Sequence, residues 1–249
     1  MPHGEYIREL PGRDTAVLMV HGIVGTPRHF DGIVPAVPEE WSLYNILLEG
    51  HGGEVRDFSR ASMEKWRAQV SELMDRLCAE YDKVFVAAHS MGTLLTMEAA
   101  LEHRDKVAGM LFLAAPMKVG VKPRALLYAL QLALGLVRPG SGAEVMERDC
   151  GVRLTKRLWL YLGWIPRFLE LFRQIRICRE LVKRLDMPCC AIQSARDELV
   201  SSGAVRYLEA NPDIERYVLE RSGHFGYYPE ELELIKSKLR ELFHKEENR

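Results

Sequence analysis

The chain has 249 residues, 47% of them hydrophobic and 28% charged, with a formal net charge of −1. That length suits one large domain with a sizeable core, and the charged share argues against wholesale disorder. A balance so near zero gives no ground for nucleic acid as a general partner.

The opening MPHGEYIRELPGRD carries charges where a secretory signal would need an apolar run. No stretch reaches the roughly 18 uninterrupted apolar residues of a membrane span. A cytoplasmic protein without stable membrane insertion is expected. The five cysteines, Cys78, Cys150, Cys178, Cys189 and Cys190, are odd in number and lack metal-ligand spacing. They read as reduced thiols. Cys189 and Cys190 are adjacent in a strand-like run, so their side chains should point to opposite faces.

Strand-like and helix-like segments alternate along the chain. Six short apolar runs read as strands: 15–20 (TAVLMV), 43–48 (LYNILL), 83–88 (KVFVAA), 107–114 (VAGMLFLA), 189–193 (CCAIQ) and 215–219 (ERYVL). Continuous apolar runs of this length predict strands buried on both faces, as in a parallel sheet. Helices are predicted over 63–81, 91–102, 201–209 and 230–243. The first carries Met63, Trp66, Val70, Leu73, Met74 and Leu77 at a 3.6-residue rhythm, with Ser62 placed as its N-cap. The alternation implies a doubly wound, mostly parallel α/β sheet. Residues 117–168 break the rhythm. They contain apolar helical segments divided by the turn-rich RPGSG at 138–142 and no convincing strand, so they read as an insertion.

The sharpest local signal is AHSMG at 88–92, between a strand and a helix. A serine on such a tight turn needs small neighbours two positions away, which is the physics of a nucleophile elbow. Ser90 is the candidate nucleophile. The helix that follows favours negative charge at its N-terminus, so the Met91 N–H can face an oxyanion. HGIVGTP at 21–27 follows the first clear strand, and its glycines let backbone approach a ligand closely. The Ile23 N–H would be the second oxyanion donor; removing one such donor typically costs about 3–4 kcal/mol of transition-state stabilisation. His21, and His51 in EGHGG at 49–53, read as structural.

An acid is expected after a late strand and a histidine after the last one. QSARDELVS at 193–201 puts Asp197 in the first place, with neighbouring Glu198 expected to face another way. SGHF at 222–225 supplies His224; His103, near the end of a helix, and His244, in a polar tail, are poorly placed. His224 would take the proton from Ser90, and Asp197 would hold the imidazole tautomer. Such a scheme requires neither metal nor organic cofactor.

With HGIVGTP, AHSMG, ARDELV and SGHF in this order, the chain resembles the bacterial carboxylesterase and monoacylglycerol-lipase branch of the α/β-hydrolases. The resemblance runs from Thr15 to the end, apart from the insertion. It implies the α/β-hydrolase fold, a core of 1–116 and 169–249, a helical cap at 117–168, and a Ser90–Asp197–His224 triad. It also implies a small hydrophobic ester, such as a monoacylglycerol, as substrate. Two departures stand out: Ala88 replaces the usual first glycine of the elbow, and Thr93 stands where another glycine often follows.

In the cap segment, Leu126, Leu127, Leu130, Leu134 and Val137 predict one apolar stripe. Trp159, Leu160, Trp164, Ile165 and Phe168 form a second cluster, and Lys118, Lys122, Arg124, Arg138, Arg153, Lys156 and Arg157 make the segment basic. The expectation is a lid that lines an acyl pocket and makes transient contact with lipid surfaces. Hydrolysis of short to medium acyl esters leads the functional reading. Acyl transfer to another alcohol, using the same triad, and a non-catalytic lipid-binding module stand as alternatives.

Overall fold

The computed structural model describes residues 4–245. Among them, seven strands form one sheet: β1 (Tyr6–Arg8), β2 (Thr15–Val20), β3 (Ser42–Ile46), β4 (Lys83–His89), β5 (Val107–Leu113), β6 (Cys189–Ser194) and β7 (Ile214–Leu219). Their order is β1-β3-β2-β4-β5-β6-β7. Only β1 runs antiparallel to its neighbour. From β2 the chain moves outward to β3, then returns to place β4 on the other side of β2. That reversal is a topological switch point, and ligands of open α/β sheets bind at the carboxyl ends of strands flanking such a point.

The period-2 alternation of side chains splits each central strand between two cores. In β2, Ala16, Leu18 and Val20 enter one cluster, while Val17 and Met19 enter the other. In β4, Val84, Val86 and Ala88 oppose Phe85 and Ala87 in the same way. Cys189 and Cys190 fall into different clusters, as adjacent strand residues should.

Helices cover both faces. On one lie α1 (Val55–Arg60), α2 (Met63–Glu80), α3 (Met91–Glu102) and α6 (Ile165–Leu181); on the other lies α8 (Pro229–Lys245), which buries Ile235, Leu239, Leu242 and Phe243. Ser62 caps α2 by accepting a hydrogen bond from the Lys65 N–H at 3.2 Å. Leu73 on that helix is only partly buried, whereas the other apolar residues of the predicted stripe are buried. The predicted 201–209 helix is a 3-10 turn, Ser202–Ala204, followed by the single turn α7 (Val205–Leu208). Between β5 and β6 come α4 (Pro123–Leu134), α5 (Gly142–Asp149) and the 3-10 segment Leu158–Trp164. Helix α6 then runs without a break through residue 168 and packs on α3.

The six expected strands are all present, with ends shifted by at most two residues. Two features differ from the sequence reading. β1 has three largely exposed residues and no apolar pattern; Arg8 anchors it through Nε to the Trp41 carbonyl at 3.0 Å. β7 is not buried on both faces: Val218 is 49% exposed, and Glu215, Arg216 and Tyr217 are at least partly so. It is the last strand of the sheet, so no further strand pairs with it among the described residues. No helix among the described residues is long and apolar enough to cross a membrane.

The tightest approach in the core is that of α3 to β2. A Cβ at Gly92 would lie 2.1 Å from the Val20 carbonyl oxygen and 2.8 Å from that of His21. Backbone cannot yield as a flexible side chain can. Gly92→Ala is therefore expected to destabilise the protein by about 3 kcal/mol, at the upper end of overpacking costs. The urea midpoint should fall while the denaturant slope stays unchanged.

Candidate active site

Among the described residues, three non-glycine residues adopt positive φ: Val24 (58°), Ser90 (50°) and Ala114 (50°). They follow β2, β4 and β5 respectively, so backbone strain of about 1–3 kcal/mol per residue is concentrated at one edge of the sheet. Ser90, with ψ at −121°, makes the turn from β4 into α3. Ala88, fully buried, leaves room for this turn despite its methyl group. Thr93, the other departure from the usual pattern, ties the turn down. Its hydroxyl donates to the Ser90 carbonyl at 2.7 Å, and its N–H donates to the same oxygen at 3.0 Å.

Gly22 packs against the nucleophile candidate so closely that a Cβ there would lie 2.8 Å from the Ser90 Cβ. The following turn is closed by the Gly25 N–H, which donates to the Gly22 carbonyl at 3.0 Å. Two histidines brace this loop. His21 Nε2 accepts the Leu48 N–H at 3.0 Å, and its Nδ1 lies 2.8 Å from the Gly22 carbonyl. His51 Nε2 accepts the N–H of the strained Val24 at 3.1 Å, and its Nδ1–H faces the Leu48 carbonyl at 3.1 Å. Burial pushes His51 down to about 4, so its neutral form and acceptor nitrogen persist at neutral pH. Both histidines are structural, as expected. Ile23 lies on this loop, and Met91 opens α3 and so has no intrahelical partner for its own N–H.

Asp197 and His224 are fully buried and joined, with Nδ1 to Oδ2 at 2.8 Å. The other Asp197 oxygen accepts the N–H groups of Leu199 at 2.7 Å and Val200 at 2.6 Å. Burial alone would raise the Asp197 carboxyl, but the His224 charge and these hydrogen bonds outweigh it and hold the group below its ordinary value. Burial alone would lower His224. The charge and hydrogen bond of Asp197, with added charge from Glu198 and Asp149, reverse that and raise it. A carboxylate can only accept, so Nδ1 carries the proton and Nε2 is free to serve as a base.

His89 brings the two halves of the site to one rim. It precedes Ser90, its ring lies 4.7 Å from that of His224, and its Nε2–H donates to the His224 carbonyl at 3.1 Å. Among the described residues no hydrogen bond joins Ser90 Oγ to His224. In unliganded sites the nucleophile–base bond is often long and tightens with substrate.

Glu198 has a role the sequence reading did not assign. Its carboxylate accepts the His224 backbone N–H at 2.7 Å, while its other oxygen pairs with Arg124 of α4 at 3.0 Å. Only the adjacency of two carboxylates hinted at this.

An apolar cavity of about 330 Å³ lies over these groups, with His29, His89 and His224 at its polar end. Ala125, Leu126, Ala129, Leu132 and Ala133 of α4 line it, together with Trp164 and Phe168. Of the predicted stripe, Leu126 lines the cavity, whereas Leu127 and Leu130 turn outward, 53% and 49% exposed. The second predicted cluster also divides, since Trp164 and Phe168 face the cavity whereas Trp159 is 65% exposed.

A parallel sheet with a strained serine elbow, a bonded Asp–His pair and a helix-lined cavity at its carboxyl edge defines a protein of the α/β-hydrolase class. The model of the alpha/beta hydrolase family matches residues 17–234, and the chain belongs to that family. A thermostable monoacylglycerol lipase of Bacillus sp. (strain H-257) is 33% identical over 90 residues, 36% of each chain. A pyrethroid hydrolase of Sphingobium wenxiniae is 25% identical over 161 residues, 61% of this chain and 56% of that one. The chain thus matches between a third and just over half of the length of these relatives. Among solved structures, one described with LipS and LipT, two metagenome-derived lipolytic enzymes, has a TM-score of 0.73 at 20% identity, covering 98% of both chains. The Paleococcus ferrophilus monoacylglycerol lipase has a TM-score of 0.67 at 19% identity, covering 97% of this chain and 99% of that one. At such identities these likenesses establish the fold.

The Asp197–His224 pair makes a direct prediction. In an NMR titration, His224 should lose its proton at a midpoint above the ordinary 6.5. Asp197→Asn removes the charge that opposes burial, so the midpoint should then move below that value. An unchanged midpoint would contradict the assigned pairing.

Proposed function

We propose that the protein is a serine hydrolase that cleaves carboxylic esters of short to medium acyl chains, monoacylglycerols among them. The observation that carries this reading is one apolar cavity lined by His89, which directly precedes the strained Ser90, and by His224, which is bonded to Asp197. Ser90 Oγ attacks the acyl carbon while His224 Nε2 removes its proton. The oxyanion rests on the Ile23 and Met91 N–H groups. The tetrahedral species collapses to an acyl-enzyme as His224 passes the proton to the leaving alcohol. Water, deprotonated by the same imidazole, then releases the acid and restores Ser90.

In this reading residues 117–168 are the cap of a core formed by 1–116 and 169–249, and the cap supplies the acyl wall. Its outward Leu127, Leu130 and Trp159, near basic Lys122, Arg138 and Arg157, suit transient contact with an anionic lipid surface. A cytoplasmic setting agrees with five unpaired thiols, all of them pushed up by burial and poorly reactive.

A fluorophosphonate probe should label the wild type, and Ser90→Ala should lose the label along with about 10⁴-fold or more of the esterase rate. A wild type that takes no label contradicts the mechanism. On a panel of p-nitrophenyl esters and monoacylglycerols, short to medium chains should turn over fastest; best turnover of a peptide or an epoxide would overturn the substrate class. Added alcohol should leave the free acid as the main product, and a predominant transfer product would instead identify an acyltransferase.

A further inference from the structure

A second hydroxyl–imidazole–carboxylate array lies beside the first, and the proposed reaction does not use it. His29 sits in the 3-10 turn Pro27–Phe30, just past the Ile23 loop. Its Nδ1 is 3.0 Å from Asp149 Oδ2, and its Nε2 is 2.9 Å from the Tyr227 hydroxyl. The His29 and Asp149 side chains are only 3% and 4% exposed. An ionised carboxylate only accepts, so Nδ1–H donates to Asp149 and Nε2 accepts the Tyr227 O–H. Burial, with the Asp149 and Asp197 charges, holds the Tyr227 phenol far above its ordinary range, so that proton stays in place.

The three groups come from three separate parts of the chain. Asp149 ends α5 of the cap segment, His29 belongs to the turn after β2, and Tyr227 lies three residues beyond His224. The His29 ring stacks on His89 at 3.7 Å with an interplanar angle of 21°. His89 in turn holds the His224 carbonyl and leans on its ring. Burial keeps His89 far below its ordinary range, so it stays neutral and donates from Nε2. An unbroken line of contacts therefore runs from a carboxylate on the cap to the backbone and ring of His224. Burying such a carboxylate beside an imidazole is expensive, and apolar residues of similar size would fill the space at less cost. Anchorage alone does not require this chemistry.

We propose that Asp149 is a cap-borne positioning residue for the reaction: through His29, and the stack of His29 on His89, it seats His224, so that docking of the cap and orientation of the imidazole are one event. The proposal rests on the reading of His224 as the base for Ser90.

The test uses the full chain, with p-nitrophenyl acetate, p-nitrophenyl octanoate and a small fluorophosphonate. Asp149→Ala should lower kcat by about 10- to 100-fold on both esters, as expected for a displaced catalytic group. The KM for the acetate should stay within about twofold, and the labelling rate should fall as kcat does. His29→Phe keeps a ring for the stack but loses both hydrogen bonds; adding Asp149→Ala to it should cost little more, since the two act along one line. Asp149→Asn, which retains an acceptor for Nδ1–H, should recover most of the activity and serves as the readout if the alanine variant fails to fold by circular dichroism. A loss confined to the KM for octanoate, with acetate turnover and labelling intact, would reduce Asp149 to a cap anchor and overturn the proposal. So would additive effects in the double variant, or an asparagine variant no better than a folded alanine variant. A wild type that neither turns over nor labels would sink the hydrolase reading, and this one with it; a reactive wild type matched by Asp149→Ala would sink this one alone.

Discussion

The site depends on the close approach of α3 to the end of β2. Gly92 lets the helix start against the carbonyls of Val20 and His21, and Gly22 lets the following loop lie on Ser90. Those two contacts bring the start of α3 and the loop after β2 against one serine. The positive φ of Ser90 is the local strain that accompanies this geometry. It persists because the sheet on one side and α3 on the other over-determine the turn. Moving α3 outward would relax Ser90, but it would also part the helix from the end of β2.

The second organising feature is the use of buried histidines as rigid connectors. His21 and His51 each accept a backbone N–H from a neighbouring loop, and burial keeps His51 neutral so that its acceptor survives. His89 is neutral for the same reason and donates instead. His224 is instead pulled upward, because Asp197 faces it directly. Similar side chains thus take different roles according to whether an imidazole meets a carboxylate, a carbonyl or an N–H.

The central strands and the local motifs were legible in the sequence because their signals are short-range. TAVLMV and KVFVAA are apolar on both faces, and AHSMG carries its own turn chemistry. β1 was not legible: three exposed residues gain their strand state from pairing with β3 and from the Arg8 anchor, which no local pattern records. The cavity-facing side of α4 was misjudged because the helix is apolar on more than one side, so periodicity did not pick out which side meets the core. Asp197 and His224 could be placed from their loops, yet Glu198 could not, since its partners are a backbone N–H and Arg124 of α4. The His29–Asp149 contact joins residues 120 positions apart, and nothing near either one announces the other.

The short antiparallel strand has a consequence for association. β3 is wholly buried and faces β2 on one side; along its other side, β1 occupies the backbone donors and acceptors. A chain lacking those few leading residues would present an apolar, unsatisfied border to its neighbours, the kind of template on which foreign strands add. Arg8, by tethering β1 to the Trp41 and Pro38 carbonyls, thereby acts as a guard against cross-chain pairing.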